Sequence, residues 1–237
     1  MHQQKGKKIL VYFFILLAFG SINNIELKNS SFYKIKNIKI SGFNEEETNI
    51  LIKKINKLNL QNIFFLNYNE LNKLLNSNSL IETYKIVKKY PSTLDIKIKK
   101  TKFLANINND NQPYLIGSNG KLIKNNSFNP QLPYVFGKPD INEFLEFKKI
   151  IDQSQFSYNE IEKLYFFPSK RWDIKLKKDV LIKLPKNNIR KSLENSYELL
   201  KDINIQNAKV IDARVINQII LNDWRFRIWD IFKNFKK

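Results

Sequence analysis

The chain has 237 residues, a hydrophobic content of 43% and an aromatic content of 13%, which excludes a disordered protein and allows one large domain or two small ones. Cysteine is absent and His2 is the only histidine, so disulfides, thiol catalysis, ordinary zinc sites and serine-histidine catalysis are excluded. The six glycines form no phosphate-binding loop. We therefore expect no metal, no cofactor and no small-molecule substrate.

The net charge of +19 is carried almost entirely by lysine, with only five arginines. A basic chain is one feature of nucleic-acid-binding proteins. Here the lysines are scattered among asparagine and isoleucine, without a basic block of five residues or an aromatic-interleaved RNA-binding motif. We therefore expect no nucleic-acid partner, although the charge is compatible with unspecific attraction to anionic lipid or wall polymer.

The longest apolar stretch is Ile9–Ile22, fourteen residues without a charge that follow Lys5, Lys7 and Lys8. A membrane-spanning helix needs about 20 apolar residues, and a shorter run is more typical of a signal-peptide core. Against cleavage, Leu17-Ala18-Phe19-Gly20 is a poor cleavage site because Leu17 and Phe19 are bulky. By itself, this stretch leaves a cleaved signal and a membrane anchor open.

In the anchor interpretation, residues 1–8 form a cytoplasmic tail, residues 9–25 span the membrane, and the rest of the chain lies outside the cytoplasm. The lysines before the apolar stretch favour this orientation, because positive flanking charges stay on the cytoplasmic side. The candidate anchor side chains are Ile9, Phe13, Phe14, Leu16, Leu17 and Phe19.

Residues 32–100 predict an α+β unit in which two helices cover one face of a three-stranded sheet. Asn44 and Glu47 have capping-box spacing, which predicts a helix start, and Asn67 marks a second one. Leu94, Ile96 and Ile98 alternate with polar residues, as in a strand with one wet face. The predicted elements are a strand at 35–40, two helices opening at Asn44 and Asn67, and strands at 81–89 and 94–99.

From Asn106 onward the pattern predicts a mostly antiparallel β-domain with two helices. An Asn-Gly turn joins 114–116 to 121–123 in a predicted hairpin. Asp140 and Glu143 again have capping-box spacing, and Asn188 precedes a second helical pattern. The remaining strand candidates are 161–167, 171–176, 180–184, 208–214 and a final strand at Gln218–Asp223.

Several phrases in this order resemble the FtsQ/DivIB family of bacterial cell-division proteins. They are Val87 to Leu94 with its Tyr-Pro-Ser-Thr-Leu ending, Phe103-Leu104-Ala105, Leu132 to Gly137, and Ile211-Asp212-Ala213-Arg214. Tyr90 stands where the family commonly has Trp, Phe103 where it commonly has Pro, and Ala213 where it has Leu. The resemblance implies a POTRA domain over residues 32–105, a β-domain over 106–223 and a C-terminal tail over 224–237.

The resemblance also implies a non-enzymatic scaffold of the divisome, anchored by one span in the inner membrane at the septum, with most of the chain in the periplasm. It favours the anchor over the cleaved signal. It implies partners such as FtsB and FtsL, of which FtsB pairs with the edge of the last strand of the β-domain. On this chain the candidate partner residues are Arg214, Val215, Gln218, Ile219, Ile220 and Leu221.

Two other functions remain possible from the residues. A membrane-tethered cell-wall hydrolase needs two carboxylates, for which Asp173, Asp179 and Asp212 are candidates. Lysines stand close to these residues in the sequence, so we interpret them as members of solvated or salt-bridged strand faces. A POTRA module of an outer-membrane or secretion assembly system would require a barrel or repeated POTRA units.

Two short stretches near the C-terminus allow alternatives. Ile219-Ile220-Leu221 is either an edge that accepts a partner strand or an ordinary buried strand. In the tail from Trp224 to Lys237, apolar residues at helical spacing fit an amphipathic helix. Because Phe226 and Trp229 blur that face, we favour a tail that packs back or frays.

Overall fold

The computed structural model describes residues 3–22, 34–58, 60, 62–201, 208–215, 218–221 and 224–227. These residues belong to two compact units, one formed by residues 1–100 and the other by residues 101–237. The predicted POTRA range ends later than the first unit, because Phe103-Leu104-Ala105 lies in a strand of the second unit.

Helix α1 runs from Gln3 to Ile22 and contains the apolar stretch. Its candidate anchor side chains are largely exposed, from Leu17 at 51% to Phe19 at 71%. Among the described residues, no helix is both long and apolar enough to cross a membrane. Residues 23–25, the end of the predicted span, lie outside the described residues.

The first unit confirms the predicted β-α-α-β-β order. Its sheet has the order β1-β3-β2, with β1 parallel and β2 antiparallel to the central strand. Asn44 and Glu47 close the predicted capping box at the start of the first of its two helices. The elements are β1 Asn37–Ser41, α2 Glu45–Asn56, α3 Tyr68–Ser77, β2 Ile81–Lys89 and β3 Thr93–Lys100.

The core of the first unit lies between the two helices and one face of the sheet. Leu51 and Ile55 of α2 and Leu71 and Leu75 of α3 are buried against the alternate apolar residues of β3. The two buried residues of each helix are four positions apart in the sequence, which places them on one face of the helix.

The second unit is built on a ten-stranded sheet with the order β13-β12-β11-β10-β9-β8-β7-β4-β5-β6. Six of its nine pairings are antiparallel, which confirms a mostly antiparallel domain with two helices. The strands are β4 Phe103–Asn109, β5 Gln112–Gly117, β6 Leu122–Lys124, β7 Tyr134–Phe136, β8 Ile161–Phe166, β9 Trp172–Leu176, β10 Leu181–Lys183, β11 Val210–Asp212, β12 Gln218–Leu221 and β13 Trp224–Arg227. The helices are α4 Ile141–Asp152 and α5 Ile189–Lys201, with a 3-10 turn at Tyr158–Glu160.

One cross-strand row shows how this sheet forms the core. Six registered residues, one on each of six strands, are all buried. The predicted inward residues of α4, Phe144, Phe147 and Ile151, are buried in the same cluster. The row consists of Val135, Leu164, Ile174, Ile182, Ile211 and Leu221.

The strand predicted at Gln218–Asp223 is present as β12, but the prediction that it is the final strand is wrong. Strand β12 ends at Leu221, and Trp224–Arg227 forms a further strand that pairs antiparallel with it. The helical interpretation of the tail is therefore wrong for residues 224–227. Residues 228–237 lie outside the described residues.

Candidate partner-binding site

Four of the six predicted partner residues line one cavity of about 280 Å³. Arg214 and Val215 follow the end of β11, and Gln218 and Ile219 begin β12. The sequence separates these pairs by two residues, and the antiparallel pairing of β11 with β12 brings both to one end of the sheet.

The rest of the cavity lining comes from the segment between β10 and α5 and from the first turns of that helix. Lys186 and Lys191 therefore line the same cavity as Arg214, and none of the described residues that line it is acidic. The N-terminus of a helix adds a partial positive charge from its free N–H groups. The cavity is thus suited to an acidic group.

Arg214 is held by Asp212, two residues earlier on the same face. Its Nε donates to Oδ1 of Asp212 at 2.7 Å, and its Nη2 donates to Oδ2 of the same carboxylate. Burial acts to raise the pKa of Asp212, but the hydrogen bonds and charge of Arg214 outweigh it and leave that pKa below its usual value. The pKa of Arg214 is raised by the hydrogen bond to Asp212. This pair fixes the guanidinium at the cavity.

A second ionisable group lies on the same sheet face. Asp173 of β9 is opposite Lys183 of β10, which is in turn opposite Asp212 of β11. Asp173 is only 4% exposed, and its Oδ1 has no hydrogen-bond partner although Nε of Arg171 lies 3.5 Å away. Burial raises the pKa of Asp173, against the opposing charge of Arg171. The expectation of a salt-bridged face is confirmed for Asp173 by this ion pair with Arg171, although the carboxylate is largely removed from water.

The three hydrolase candidates are each next to a cation. Asp179 pairs with Lys175, which lowers the pKa of its carboxyl, and Asp212 pairs with Arg214. Lys183 stands between Asp173 and Asp212 in the sheet register. In the described part of the chain, no group of three or more acidic or histidine side chains could hold a metal ion. The arrangement suits charge pairing better than proton transfer.

Strand β12 contributes backbone and core rather than an open face. Ile219 and Leu221 are buried in the core of the second unit, whereas Ile220 is half-buried on the opposite face. Its two sides pair with β11 and β13. The apolar stretch therefore matches the buried-strand alternative that the sequence left open.

Strand β13 is the last strand at this end of the sheet among the described residues. An outermost strand presents free N–H and C=O groups to which another chain can pair. These residues were predicted to belong to the C-terminal tail, yet Trp224-Arg225-Phe226-Arg227 alternates apolar and basic residues with a period of two, the signal of a strand. For Lys186 and Lys191, by contrast, nothing in the local pattern indicates a site.

Two family models match the chain, one to each unit. The model of the FtsQ-type POTRA domain matches residues 33–100. The model described as the C-terminal domain of cell division protein FtsQ/DivIB matches residues 105–214. Together they cover most of the chain, in the order that the sequence motifs indicate.

The chain is also similar to named relatives. It is 26% identical over 202 residues to cell division protein FtsQ of Rickettsia bellii, covering 81% of this chain and 73% of that protein. It is 24% identical over 218 residues to cell division protein FtsQ of Rickettsia felis, covering 90% and 81%. The major extracytoplasmic domain of the trans isomer of DivIB from Geobacillus stearothermophilus matches with a TM-score of 0.34 and 11% identity, covering 46% of this chain and 98% of that one. A TM-score this low does not establish a shared fold.

Proposed function

The chain belongs to the FtsQ/DivIB family of bacterial cell-division proteins, and from this premise we propose that it is a membrane-anchored scaffold of the divisome that performs no reaction itself. Its role is to bind other division proteins through the second unit and to hold them at the septum. The observation that carries the proposal is the position of the cationic cavity beside the terminal strands of the ten-stranded sheet.

The anchor is helix α1. Its apolar side chains are exposed rather than packed against the protein, and exposed apolar area of this kind favours transfer into lipid. Lys5, Lys7 and Lys8 favour an N-terminus in the cytoplasm, with both units in the periplasm. The test is the N-terminus of the mature protein extracted from membranes. An intact N-terminus is expected, and a chain that begins near residues 20–24 would refute the anchor.

The partner site combines β13 with the cavity. A strand of a partner such as FtsB, bound to FtsL, adds to the outer edge of β13 by main-chain hydrogen bonds. An acidic side chain of the same partner enters the cavity between Lys186, Lys191 and Arg214. The main-chain bonds supply affinity, and the charge complementarity supplies orientation and association rate.

Proline substitution tests the edge. Adjacent residues of a strand point their N–H groups to opposite sides, so of Arg225→Pro and Phe226→Pro one removes an outward donor and the other breaks pairing with β12. We expect the outward substitution to weaken binding of the full chain to the FtsB–FtsL pair by at least about tenfold, the loss of about 1.4 kcal/mol. Lys124→Pro, in the outermost strand at the other end of the same sheet, is the matched control. Unchanged binding with both β13 variants would exclude this edge.

Charge reversal tests the cavity separately. Lys186→Glu is expected to slow association and to reduce its dependence on salt, whereas Lys178→Glu, at an exposed turn outside the cavity, serves as the control. Equal effects of the two variants would mean that only net charge matters. Stopped-flow measurements at two salt concentrations make the distinction.

A further inference from the structure

The first unit exposes four aromatic side chains close together. Phe64 and Phe65 precede α3, Tyr68 begins it, and Tyr90 follows β2; they are 49%, 51%, 41% and 59% exposed. The rings of Phe64 and Tyr90 stack with their centroids 4.7 Å apart. We refer to these four residues as the aromatic face. Clustered exposed apolar side chains of this kind mark a binding surface more often than scattered ones do.

The loop that carries Phe64 and Phe65 is fixed rather than loose. Ile63 and Leu66 on either side are buried, and the buried Asn62 accepts a hydrogen bond from the backbone N–H of Phe64 at 2.9 Å. The loop is therefore anchored at both ends while its two phenylalanines point outward. Of the four consecutive apolar residues 63–66, the outer two are buried and the two phenylalanines are exposed. The tertiary fold, and not hydrophobicity, therefore determines that Phe64 and Phe65 face solvent.

Lysines surround the aromatic face. Lys88 donates to the carbonyl of Phe64 at 3.2 Å and lies 5.0 Å from the ring centre of Tyr68. Lys34 and Lys36 precede β1 at the same end, and Lys89, which pairs with Asp95, ends β2. This end of the unit is thus apolar and carries a net positive charge.

The other end of the unit has the opposite character. Glu45, Glu46 and Glu47 open α2 after the C-terminal end of β1, and Glu47 pairs with Lys100 at the end of β3. In contrast, the N-terminal end of β1 lies at the aromatic face, where the N–H of Lys36 donates to the carbonyl of Ser92 at 2.9 Å. The chain therefore enters the unit, from α1, at its aromatic and cationic end.

We propose that the aromatic face and its lysines contact the surface of an anionic bilayer. Eleven residues separate Ile22 from Lys34, so whatever their conformation they reach at most roughly 40 Å. An α1 helix inserted in lipid therefore keeps this end of the unit near the headgroups. Tyrosine and phenylalanine enter the interfacial layer, and lysines add attraction to anionic lipid. This inference rests on the membrane anchoring proposed above.

The experiment uses the absence of cysteine from the natural chain. Ser92→Cys, in the turn beside Tyr90, and Ser77→Cys, at the far end of α3, each receive an environment-sensitive fluorophore in the otherwise unchanged full chain. The labelled proteins are reconstituted in vesicles of phosphatidylcholine with or without phosphatidylglycerol. We expect a blue shift and quenching by headgroup nitroxides at position 92, stronger with the anionic lipid, and neither at position 77.

Variants connect the signal to the face. The double substitution Phe64→Ser and Phe65→Ser is expected to abolish quenching at position 92, while Phe128→Ser, which changes an exposed phenylalanine of the second unit, leaves it unchanged. Lys34→Gln and Lys36→Gln are each expected to reduce the ratio of docked to undocked protein about fivefold, because each lysine near an anionic surface contributes about 1 kcal/mol.

Each other outcome contradicts the proposal. If the chain co-floats with vesicles but position 92 stays water-exposed, the anchor stands and the face does not contact lipid. If the chain does not float at all, both are refuted. A blue shift that appears without lipid and grows with protein concentration would identify a protein partner, a second copy of the chain, in place of the bilayer.

Discussion

Strands β3 and β9 have almost the same sequence, but the pKa values of their aspartates are shifted in opposite directions. Leu94-Asp95-Ile96-Lys97 and Trp172-Asp173-Ile174-Lys175 both place apolar residues in the core and an aspartate on the other face. Both aspartates are nearly buried, at 7% and 4% exposure. Asp95 pairs with Lys89 at 2.5 Å, and the hydrogen bond from Lys89 lowers its pKa. Burial raises the pKa of Asp173.

The difference comes from the neighbouring strands. Asp95 lies in a three-stranded sheet, where the long side chain of Lys89 folds over it from β2 while remaining half in water. Asp173 lies between Tyr165 of β8 and Lys183 of β10, and its ion pair with Nε of Arg171 is longer, at 3.5 Å. The same local pattern therefore gives a close lysine pair at Asp95 and, at Asp173, an arginine pair that does not offset desolvation.

The largest expected effects come from substitutions of core residues in the two strands. The ring of Trp172 stacks on Phe147 at 4.5 Å and contacts Phe166, so Trp172→Ala is expected to lower the free energy of unfolding by about 3–5 kcal/mol. Leu94→Ala is expected to cost about 2–5 kcal/mol. Urea denaturation followed by far-ultraviolet circular dichroism measures both. Lys177→Ala, an exposed control, is expected to stay within about 0.5 kcal/mol.

The second comparison concerns the glycines after the parallel strands β1 and β7. Gly42 has φ of +101° and Gly137 has φ of +93°, and a Cβ would lie 1.8 Å from the carbonyl oxygen of Ile98 and 2.3 Å from that of Phe166. Alanine at either position is expected to cost about 1–3 kcal/mol from backbone strain, and more at Gly42 because its contact is closer. Gly20→Ala, with no heavy atom within 4 Å, is the control. A stability loss at Gly20 equal to that at Gly42 would contradict this explanation.

The third comparison concerns the helix caps of the two units. Asn44 and Asp140 each close a capping box, with backbone N–H groups donating to their side chains at 2.8 Å. Replacing either with alanine is expected to cost about 1 kcal/mol of unfolding free energy. Asn67 accepts a single bond at 3.2 Å, so Asn67→Ala is expected to cost less. Thermal denaturation of the three variants side by side would contradict this ranking if Asn67→Ala were the most damaging.

The smallest effects concern the two aspartates, and they differ in sign. Because the pKa of Asp173 is raised by folding, its charge destabilises the native state at neutral pH, and this penalty disappears as pH falls through the folded pKa. Asp173→Asn is therefore expected to stabilise the native state slightly at pH 7 and to converge with the natural chain in acid, once Asp173 is protonated.

Asp95→Asn is expected to act in the opposite direction. The pKa of Asp95 is lowered by folding, so its contribution is present above the unfolded value and is lost as pH falls through the folded pKa. The variant is expected to be slightly less stable at pH 7 and equal to the natural chain in strong acid. Stability measured from pH 3 to 7 would contradict the comparison if both variants shifted in the same direction.

Features that depend on neighbours in sequence were predictable. The capping boxes at Asn44 and Asp140, the alternation of β3 and β9 and the β5–β6 hairpin with Gly120 in its turn involve contacts within a few residues. All of these features are present. Strand β13 was missed although its two-residue alternation is visible, because the wider helical spacing of the tail competed with it.

The candidate site could be predicted only in part. Arg214, Val215, Gln218 and Ile219 are close in sequence, and a family resemblance indicated them. Lys186 and Lys191 line the same cavity only because the start of α5 packs beside the end of β11, and no periodicity in the sequence encodes that packing. The aromatic face likewise joins a loop and a helix start, at Phe64 and Tyr68, to a strand end at Tyr90 that lies 26 and 22 residues further along the chain.

The sequence by itself determined the order of the elements, their caps and which side of each strand is apolar, because these depend on interactions between close neighbours. The tertiary structure alone decided that the pKa of Asp95 is lowered while that of Asp173 is raised, that β12 is covered by β13, and that three cations share one cavity. The physical reason is that desolvation, pairing and cavity formation depend on atoms from distant parts of the chain, whose positions are fixed only when the sheets are complete.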